Sequence, residues 1–374
     1  MANEQALIVD LHIPYCIRPE RYSAAFGAVG TNAQKDAYLR ALQREIHAWE
    51  GELDGYVVRA VRLGGGSASV MSPDLLGETL SLLRRTLPMA PGAEVSYDAL
   101  PNTIGTPSLT GIASGHPTRV ELMVRSIHDD ELSALGCPFT AQDVRNAMLF
   151  LGRFHVNNIG MTIHYGIPGQ TDVSWHNTLH ACAIMRPAHI LVEPLAVTGA
   201  EGMPSDDARY AMYAHACEFL RASGYIHYAA GHFCLPGHEY LFDALRLNGT
   251  PFVGMGVNAL SLLEGVMTRN TNNLPLYVKN AGDFEKQTAQ ILSLSPEQLM
   301  EEYVLGRLRL TQGLLHSLFE ARFAQPVPEG LTRQLEAMAE AGWLEVTPEG
   351  YLPTTQGLFA AQNGRVEVHI ACQP

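Results

Sequence analysis

Acidic residues and histidines recur at alternate positions within several short, β-rich segments of this chain. Asp10 and His12 share one segment, His189 and Glu193 share another, and His164 ends a third. Side chains alternate between the two faces of a strand, so residues two or four positions apart point the same way. Buried ionisable groups are costly unless they are paired, metal-bound or solvated. Acids and histidines on one face therefore indicate a functional site.

General acid–base catalysis is the first chemistry that such a cluster supports. His12 or His164 would carry the proton, because imidazole is the side chain that titrates near neutral pH. Asp10 or Glu193 would set the pKa of that imidazole. We therefore predict these four residues as catalytic.

Metal binding is a second use of these residues, and ligand binding without catalysis is a third. Imidazoles, carboxylates and thiolates suit Zn²⁺ or Fe²⁺, and Cys16 and Glu20 are the candidate metal ligands. Further ligands would come from separate strands, so no sequence spacing tests this site. Alternatively, the polar groups satisfy one another or hold a ligand, with Arg125 neutralising Asp98 or Glu193.

Strands and helices must alternate along the chain to position these residues. The patterns predict strands over 6–12, 56–63, 94–98, 119–124, 158–164 and 189–194. They predict helices over 34–50, 73–86, 141–154, 173–185 and 206–222. This alternation is typical of an α/β fold with a parallel sheet, in which ligands bind at the carboxyl ends of the strands.

The pattern changes after about residue 295. Helices are predicted over 296–308 and 331–340, followed by a short hairpin over 344–346 and 350–353. We expect two domains, an α/β domain with an extension over 1–285 and a winged-helix-like accessory domain over 286–374.

Composition excludes several classes of protein. The 374 residues are 47% hydrophobic and 17% charged, with a net charge of −13, which is typical of a globular protein and argues against a nucleic-acid or anionic membrane surface. No apolar run reaches spanning length, so we expect a cytoplasmic protein without a membrane span. The six cysteines form no C-x-x-C pair. The expected partner is a small-molecule ligand, and the oligomeric state is left open.

Several segments resemble the motifs of one family, in the same order along the chain. Residues 64–69 resemble its GGGTPS turn, residues 165–171 its YGLPGQT motif and residues 307–314 its GLRLTEGV motif. With residues 10–23 and 254–259, they resemble the oxygen-independent coproporphyrinogen III oxidase and heme chaperone family of radical S-adenosylmethionine (SAM) proteins. The resemblance implies an open (β/α)6 partial barrel with a small C-terminal winged-helix-like domain.

The cluster motif departs from that family. Its members hold a [4Fe-4S] cluster with three cysteines spaced C-x3-C-x2-C, and these positions are Cys16, Glu20 and Ser23 here. Carboxylate and hydroxyl groups are poor substitutes for soft thiolates. We therefore do not expect a standard [4Fe-4S] cluster in this chain.

Other positions of the resemblance concern cofactors. The heme-associated HN-x-x-YW motif aligns with residues 242–247, where its histidine and aromatic residues are absent. SAM, a tetrapyrrole and a divalent metal are the remaining cofactor candidates. The residues that would contact a cofactor are Tyr15, Gly64, Gly65, Gly66, Asp98 and Arg125.

These patterns lead to one functional hypothesis and two alternatives. We expect a radical-SAM-fold protein that uses its barrel interior as a polar small-molecule site, and we favour an enzyme of non-radical chemistry. The first alternative is a non-catalytic carrier or regulator that binds heme, another tetrapyrrole or SAM. The second is a radical SAM enzyme whose cluster has unusual ligands.

Overall fold

Two compact units make up the protein. The computed structural model describes residues 4–22, 27–113, 115–195 and 201–370. The first unit comprises Met1–Thr162 and Thr250–Ser293, and the second comprises Ile163–Gly249 and Leu294–Pro374. These bounds differ from the expected boundary at 285/286, because residues 163–249 group with the C-terminal segment. The independent folding of residues 286–374 stays a prediction.

The strands agree closely with the predicted segments and include a meander that the sequence patterns did not predict. In the described chain they are β1 (Gln5–Ile13), β2 (Tyr56–Gly65), β3 (Met89–Ala99), β4 (Arg119–Arg125), β5 (Ile159–Tyr165), β6 (His189–Pro194), β7 (Ile226–Ala229), β8 (His232–Cys234), β9 (Phe252–Met255), β10 (Leu260–Leu263), β11 (Val266–Asn270), β12 (Thr288–Ser293), β13 (Leu314–Leu315), β14 (Leu344–Thr347) and β15 (Gly350–Pro353).

The helices begin and end within a few residues of the predicted bounds wherever one was predicted. In the described chain they are α1 (Asn32–Ala48), α2 (Pro73–Thr86), α3 (Thr106–Ala113), α4 (Asp129–Leu135), α5 (Ala141–Arg153), α6 (Asp172–Met185), α7 (Asp206–Ala222), α8 (Leu241–Leu247), α9 (Leu274–Asn280), α10 (Phe284–Gln287), α11 (Pro296–Arg307), α12 (His316–Phe323), α13 (Glu329–Glu340) and α14 (Thr355–Gln362). Among them, none combines the length and the apolar character that a membrane crossing requires.

The first unit is built on a parallel sheet. Strands β1, β2, β3 and β4 pair in that order and in parallel, and β9 pairs with the other side of β1. Strands β9 to β12 then form an antiparallel meander. The parallel β/α arrangement predicted from the sequence is confirmed. The meander consists of short strands whose pairing depends on turns between them, and its residues lack a clear alternating pattern.

Helix α1 shows why the predicted elements form. Thr31 and Gln34 cap its first turn reciprocally, with Gln34 N donating to Thr31 Oγ1 and Thr31 N donating to Gln34 Oε1, which satisfies two otherwise unpaired donors. Leu39, Leu42 and Ile46 are buried on one face of the helix, as amphipathic spacing requires.

A buried carboxylate joins α1 to the meander. Glu45 is fully buried and accepts hydrogen bonds from Gly256 N, Asn270 Nδ2, Tyr277 Oη and Gln287 Nε2 at 2.5 to 2.8 Å. Burial raises the pKa of Glu45 to about 7, and these donors hold it below what burial alone would cause. The four donors come from separate segments, so one side chain fixes the meander against the helix.

The second unit contains strands of two sheets. Strands β6, β8 and β7 are antiparallel, with β8 between the other two. Strands β13, β15 and β14 form the other sheet in that order. Helices α11, α12 and α13 and the hairpin β14–β15 share a core that includes Leu314, Phe319, Leu331, Leu335 and Tyr351. Helices followed by a β-hairpin correspond to the predicted winged-helix-like fold.

Candidate functional site

An open cleft lies at the carboxyl ends of β1 to β4 in the first unit. Its volume is about 100 Å³. Parallel strands bring the residues that follow them to one edge of the sheet, where ligands bind in open α/β folds. Five of the predicted site residues line this cleft: Cys16, Glu20, Gly65, Gly66 and Arg125.

Arg125 and Glu20 form an ion pair on the cleft wall. Arg125 ends β4 with φ +63°, a left-handed conformation that is uncommon for a residue with a long side chain. Its Nε donates to Glu20 Oε2 at 3.2 Å, and the two side chains are 16% and 15% exposed. The pair places a cationic donor and an anionic acceptor side by side, which suits a ligand with both charges.

Cys16 presents a half-buried thiol to the cleft. Its backbone N donates to Ala28 O at 3.0 Å, which holds the segment after β1. Burial raises the pKa of the Cys16 thiol, the charge of Glu20 raises it further, and Lys35 lowers it. The thiol is therefore mostly protonated at neutral pH, and a bound cation would be needed to favour the thiolate.

The predicted metal site is only partly described. Cys16 and Glu20 both line the cleft, but Ser23 lies outside the described residues. Within residues 4–22, 27–113, 115–195 and 201–370, no three histidine, cysteine or carboxylate side chains are arranged to hold a metal ion. A metal bound by Cys16 and Glu20 stays a prediction.

The glycine turn after β2 is required by the backbone itself. Gly66 N donates to Ile13 O at 2.6 Å, and Ser67 N donates to Tyr15 O at 2.8 Å, so the ends of β1 and β2 are joined. A Cβ at Gly66 would lie 2.5 Å from Tyr15 O, which no side chain tolerates. The close approach of the two backbones therefore allows the hydrogen bonds between the ends of β1 and β2. Gly65 and Gly66 form one wall of the cleft.

Tyr15 has a packing role in addition to its predicted cofactor contact. Its ring is buried, packs edge-on against the ring of Tyr38 with 5.8 Å between centroids, and occupies the space beside Gly30. Its hydroxyl donates to Gln34 O at 3.3 Å. The cofactor contact of Tyr15 stays a prediction.

Two rows of polar residues cross the sheet beneath the cleft. The parallel register places Asp10 beside Arg62, Arg62 beside Ser96, and Ser96 beside Arg119. In the adjacent row, His12 lies beside Gly64 and Asp98 lies beside Glu121. Neighbours in register share a face of the sheet, so the strands place Asp10, His12 and Asp98 together as predicted.

Arginines neutralise most of the acids in these rows. Arg62 Nη2 donates to Asp98 Oδ2 at 2.8 Å. Arg119 pairs with Glu94 at 2.9 Å and with Glu121 at 3.2 Å. Burial raises the pKa of Glu121 to about 8, partly offset by Arg119, while Asp98 and Glu94 raise it further.

Sequence reasoning missed Arg62, Arg119 and Glu121. The signal was present in β4, where Arg119, Glu121, Met123 and Arg125 alternate with valine and leucine. Because alternate residues share a face, the prediction that Arg125 is a site residue should have included Arg119 and Glu121 of the same strand. Space for the carboxylate of Glu121 comes from Gly160, where a Cβ would overlap with it.

His12 is held tightly at the end of β1. Tyr38 Oη donates to His12 O at 2.5 Å, and the imidazole packs against Gly65. Burial lowers the pKa of His12, Asp10 raises it, and Arg62 lowers it further. The imidazole is therefore neutral at neutral pH and could accept a proton. The catalytic roles of His12 and Asp10 stay predictions.

His164 and Glu193 lie in the second unit. His164 Nδ1 is 3.4 Å from Glu193 O, so this contact joins the imidazole to the backbone of Glu193. Gln170 Nε2 donates to His164 O at 3.2 Å, and Gln170 Oε1 accepts from Gly166 N at 2.8 Å. The YGIPGQT segment thus forms a turn that fixes the end of β5. The catalytic roles of His164 and Glu193 also stay predictions.

A second polar cluster, which sequence reasoning did not assemble, lies in the second unit. His189 Nε2, Tyr228 Oη and His232 Nδ1 are within 3.1 to 3.3 Å of one another. Tyr240 N donates to Tyr228 Oη at 3.0 Å, and His232 Nε2 is 3.9 Å from Asp243. Both histidines are buried, so the cluster links β6, β7, β8 and α8 from within.

Known proteins resemble this chain along most of its length. Residues 294–360 match the HemN C-terminal domain. The heme chaperone HemW of Lactococcus lactis is 26% identical over 83% of this chain and 84% of its own, and HemW of Synechocystis is 26% identical over 90% and 85%. The structure of coproporphyrinogen III oxidase (HemN) from Escherichia coli, a radical SAM enzyme, superposes with a TM-score of 0.83, covering 96% of this chain and 89% of that one at 20% identity.

The chain is similar to the HemN/HemW radical SAM proteins, and the resemblance indicated by its sequence motifs is confirmed. The superposition on HemN confirms the expected α/β fold of the radical SAM type. The match of the HemN C-terminal domain lies within the segment where a winged-helix-like fold was predicted.

The similarity to known proteins corrects one expectation. We did not expect a standard [4Fe-4S] cluster, because Glu20 and Ser23 replace two cysteines. HemN of Escherichia coli is a radical SAM enzyme, and a [4Fe-4S] cluster with SAM is the cofactor set of that class, so the expectation was wrong. Cys16 is the thiol that lines the described cleft, with Glu20 at the next ligand position.

Proposed function

We propose that this chain binds a polar small molecule in the cleft of its first unit, and that SAM is that molecule. One observation carries the proposal: Cys16, Glu20, Gly65, Gly66 and Arg125 follow or end three different strands and line the same open cleft. Five predicted residues would not be expected to line the same cavity by chance.

The charged side chains on the cleft wall support a zwitterionic ligand. Arg125 and Glu20 offer opposite charges at 3.2 Å from each other, which complements the ammonium and carboxylate of an amino acid group. Leu100 and Met123 add apolar surface to the same cleft. When bound, SAM would supply an activated carbon–sulfur bond. Arg125 and Glu20 would orient it.

Titration calorimetry with SAM tests this proposal. The Arg125→Ala variant should bind SAM at least about tenfold more weakly than the unmodified protein, since a charge-assisted contact is removed. Arg145→Ala is the matched control, because Arg145 is an exposed residue of α5 that contacts Gln142. An unmodified protein that does not bind SAM, or an Arg125→Ala variant that binds it equally well, would contradict the proposal.

The family's cluster calls for a separate measurement. We propose that Cys16 ligates iron, with Glu20 as a second candidate ligand. Anaerobic reconstitution with iron and sulfide should give a visible thiolate-to-iron absorbance that is lost in Cys16→Ser. Cys182→Ser is the control, because Cys182 is fully buried in α6. The same absorbance in Cys16→Ser would rule out this ligand.

Binding of heme is a second candidate function, favoured by the similarity to heme chaperones over more than four-fifths of the chain. In the region that aligns with the heme-associated motif, α8 buries Phe242 and Leu247 and directs Asp243 towards His232. Heme titration should shift the Soret band, and His238→Ala should weaken that shift, because His238 is a half-buried imidazole four residues before Phe242. His369→Ala, at an exposed residue, is the control. A Soret band that does not move removes this candidate.

A further inference from the structure

The polar rows beneath the cleft contain two acceptors that the protein leaves unused. Asp10 Oδ1 and His12 Nε2 are buried and have no hydrogen-bond partner among the described residues. Buried polar atoms are nearly always hydrogen-bonded, so each exception requires a physical explanation. Both side chains come from the same face of β1, two residues apart.

Neighbouring charges do not account for these atoms. Arg62, which lies beside Asp10 in the register, donates twice to Asp98, through Nε at 3.2 Å and Nη2 at 2.8 Å. Arg119 is engaged by Glu94 and Glu121. The acids of the rows are therefore matched to arginines, while one oxygen of Asp10 remains without a donor.

His12 cannot easily turn to find another partner. Its ring packs against Gly65, its carbonyl accepts from Tyr38, and a Cβ at Gly256 would lie 2.6 Å from that carbonyl. Backbone and ring are thus confined by β2, α1 and the turn after β9. A donor brought by a ligand would satisfy Nε2 without a change of rotamer.

We propose that Asp10 and His12 form a second subsite, which binds the primary ammonium group of a second small molecule. An ammonium carries three N–H donors, and a carboxylate oxygen and a neutral imidazole nitrogen are two acceptors that match it. A metal ion is a poorer fit, because no third ligating side chain is arranged around these two within the described ranges. Gly65 lines the Cys16–Glu20–Arg125 cleft, and the His12 ring fills the space where its Cβ would lie.

This subsite goes beyond the proposed function by naming a group on a second ligand, and it rests on that function for the route of entry through the cleft. A probe that needs no cleft contact separates the two. n-Propylammonium chloride is that probe, with n-propanol and sodium propionate as neutral and anionic controls of the same length.

NMR of protein labelled with ¹⁵N-histidine provides the readout, with the His12 signals assigned from the spectrum of His12→Gln. n-Propylammonium should shift the His12 ring signals saturably, and propionate should not. Asp10→Asn should weaken the binding at least tenfold, whereas Asp54→Asn, at an exposed residue, should leave it unchanged. Should Asp10→Asn fail to fold, Asp10→Ser replaces it.

Three results would overturn the subsite: no saturable shift, an equal shift with n-propanol, or unchanged binding in Asp10→Asn. Loss of SAM binding with retained n-propylammonium binding would contradict the cleft proposal alone.

Discussion

The imidazole of His12 occupies the space that a side chain at Gly65 would fill. A Cβ at Gly65 would overlap with His12 Nδ1, and Gly65 itself has φ +104°. Gly65 also lines the cleft, so one glycine contacts both the cleft and the His12 ring.

Substitution of Gly65 should be costly for two separate reasons. We expect Gly65→Ala to lower the free energy of unfolding by about 1–3 kcal/mol more than Gly55→Ala, because both introduce backbone strain but only Gly65 also contacts a packed ring. Gly55 has φ +84° and open space around its Cα. Urea unfolding of the two variants gives the comparison, and equal losses would show that His12 can move aside.

The charges around Cys16 should control its reactivity. Because Glu20 raises and Lys35 lowers the pKa of the thiol, Glu20→Gln should speed alkylation by about threefold at pH 7.5 and Lys35→Met should slow it by a similar factor. Peptide mapping by mass spectrometry after iodoacetamide treatment isolates Cys16 from the buried cysteines. Rates that change in the same direction in both variants would contradict this electrostatic account.

Glu45 should make stability fall as the pH rises. Its pKa is raised from 4.5 to about 7 in the folded protein, so between these values the folded state binds a proton that the unfolded state has lost. The stabilisation is fully present below pH 4.5 and is lost as the pH passes through about 7, with a difference of about 3 kcal/mol.

Glu45→Gln removes this titration. Urea unfolding from pH 5 to 8 should show a shallower decline for Glu45→Gln than for the unmodified protein, whatever the absolute stability of the variant. Glu50→Gln, at an exposed position just beyond α1, should retain the full decline. Parallel curves for all three proteins would mean that the four donors keep Glu45 ionised throughout.

The hydroxyl of Tyr228 should stabilise the second unit. Tyr228→Phe removes the acceptor of Tyr240 N and a partner of His189 and His232. We expect a loss of about 1–3 kcal/mol, since the groups around a buried hydroxyl are not easily solvated. Thermal unfolding measures it against Tyr210→Phe, where the ring packs on Phe359. Equal melting temperatures for Tyr228→Phe and Tyr210→Phe would argue that water replaces the hydroxyl of Tyr228.

Local patterns were sufficient for most of the first unit. The alternation of apolar residues in β1 to β4 and the apolar spacing of α1, α2 and α5 predict those elements to within a few residues, because each buries its own continuous face. The meander from β9 to β12 was not predicted. Its position depends on Glu45 and on partners from three other segments, which no local pattern contains.

The sequence by itself determined the resemblance to the HemN/HemW proteins, the α/β fold and the shared face of Asp10 and His12, because motif order and strand periodicity are properties of a linear chain. Only the tertiary structure decided which charged side chains pair with one another. It paired Arg62 with Asp98 and Arg125 with Glu20, and it left Asp10 Oδ1 and His12 Nε2 without a donor. Register between strands selects the partner of each charge, and register is set by packing across the whole sheet.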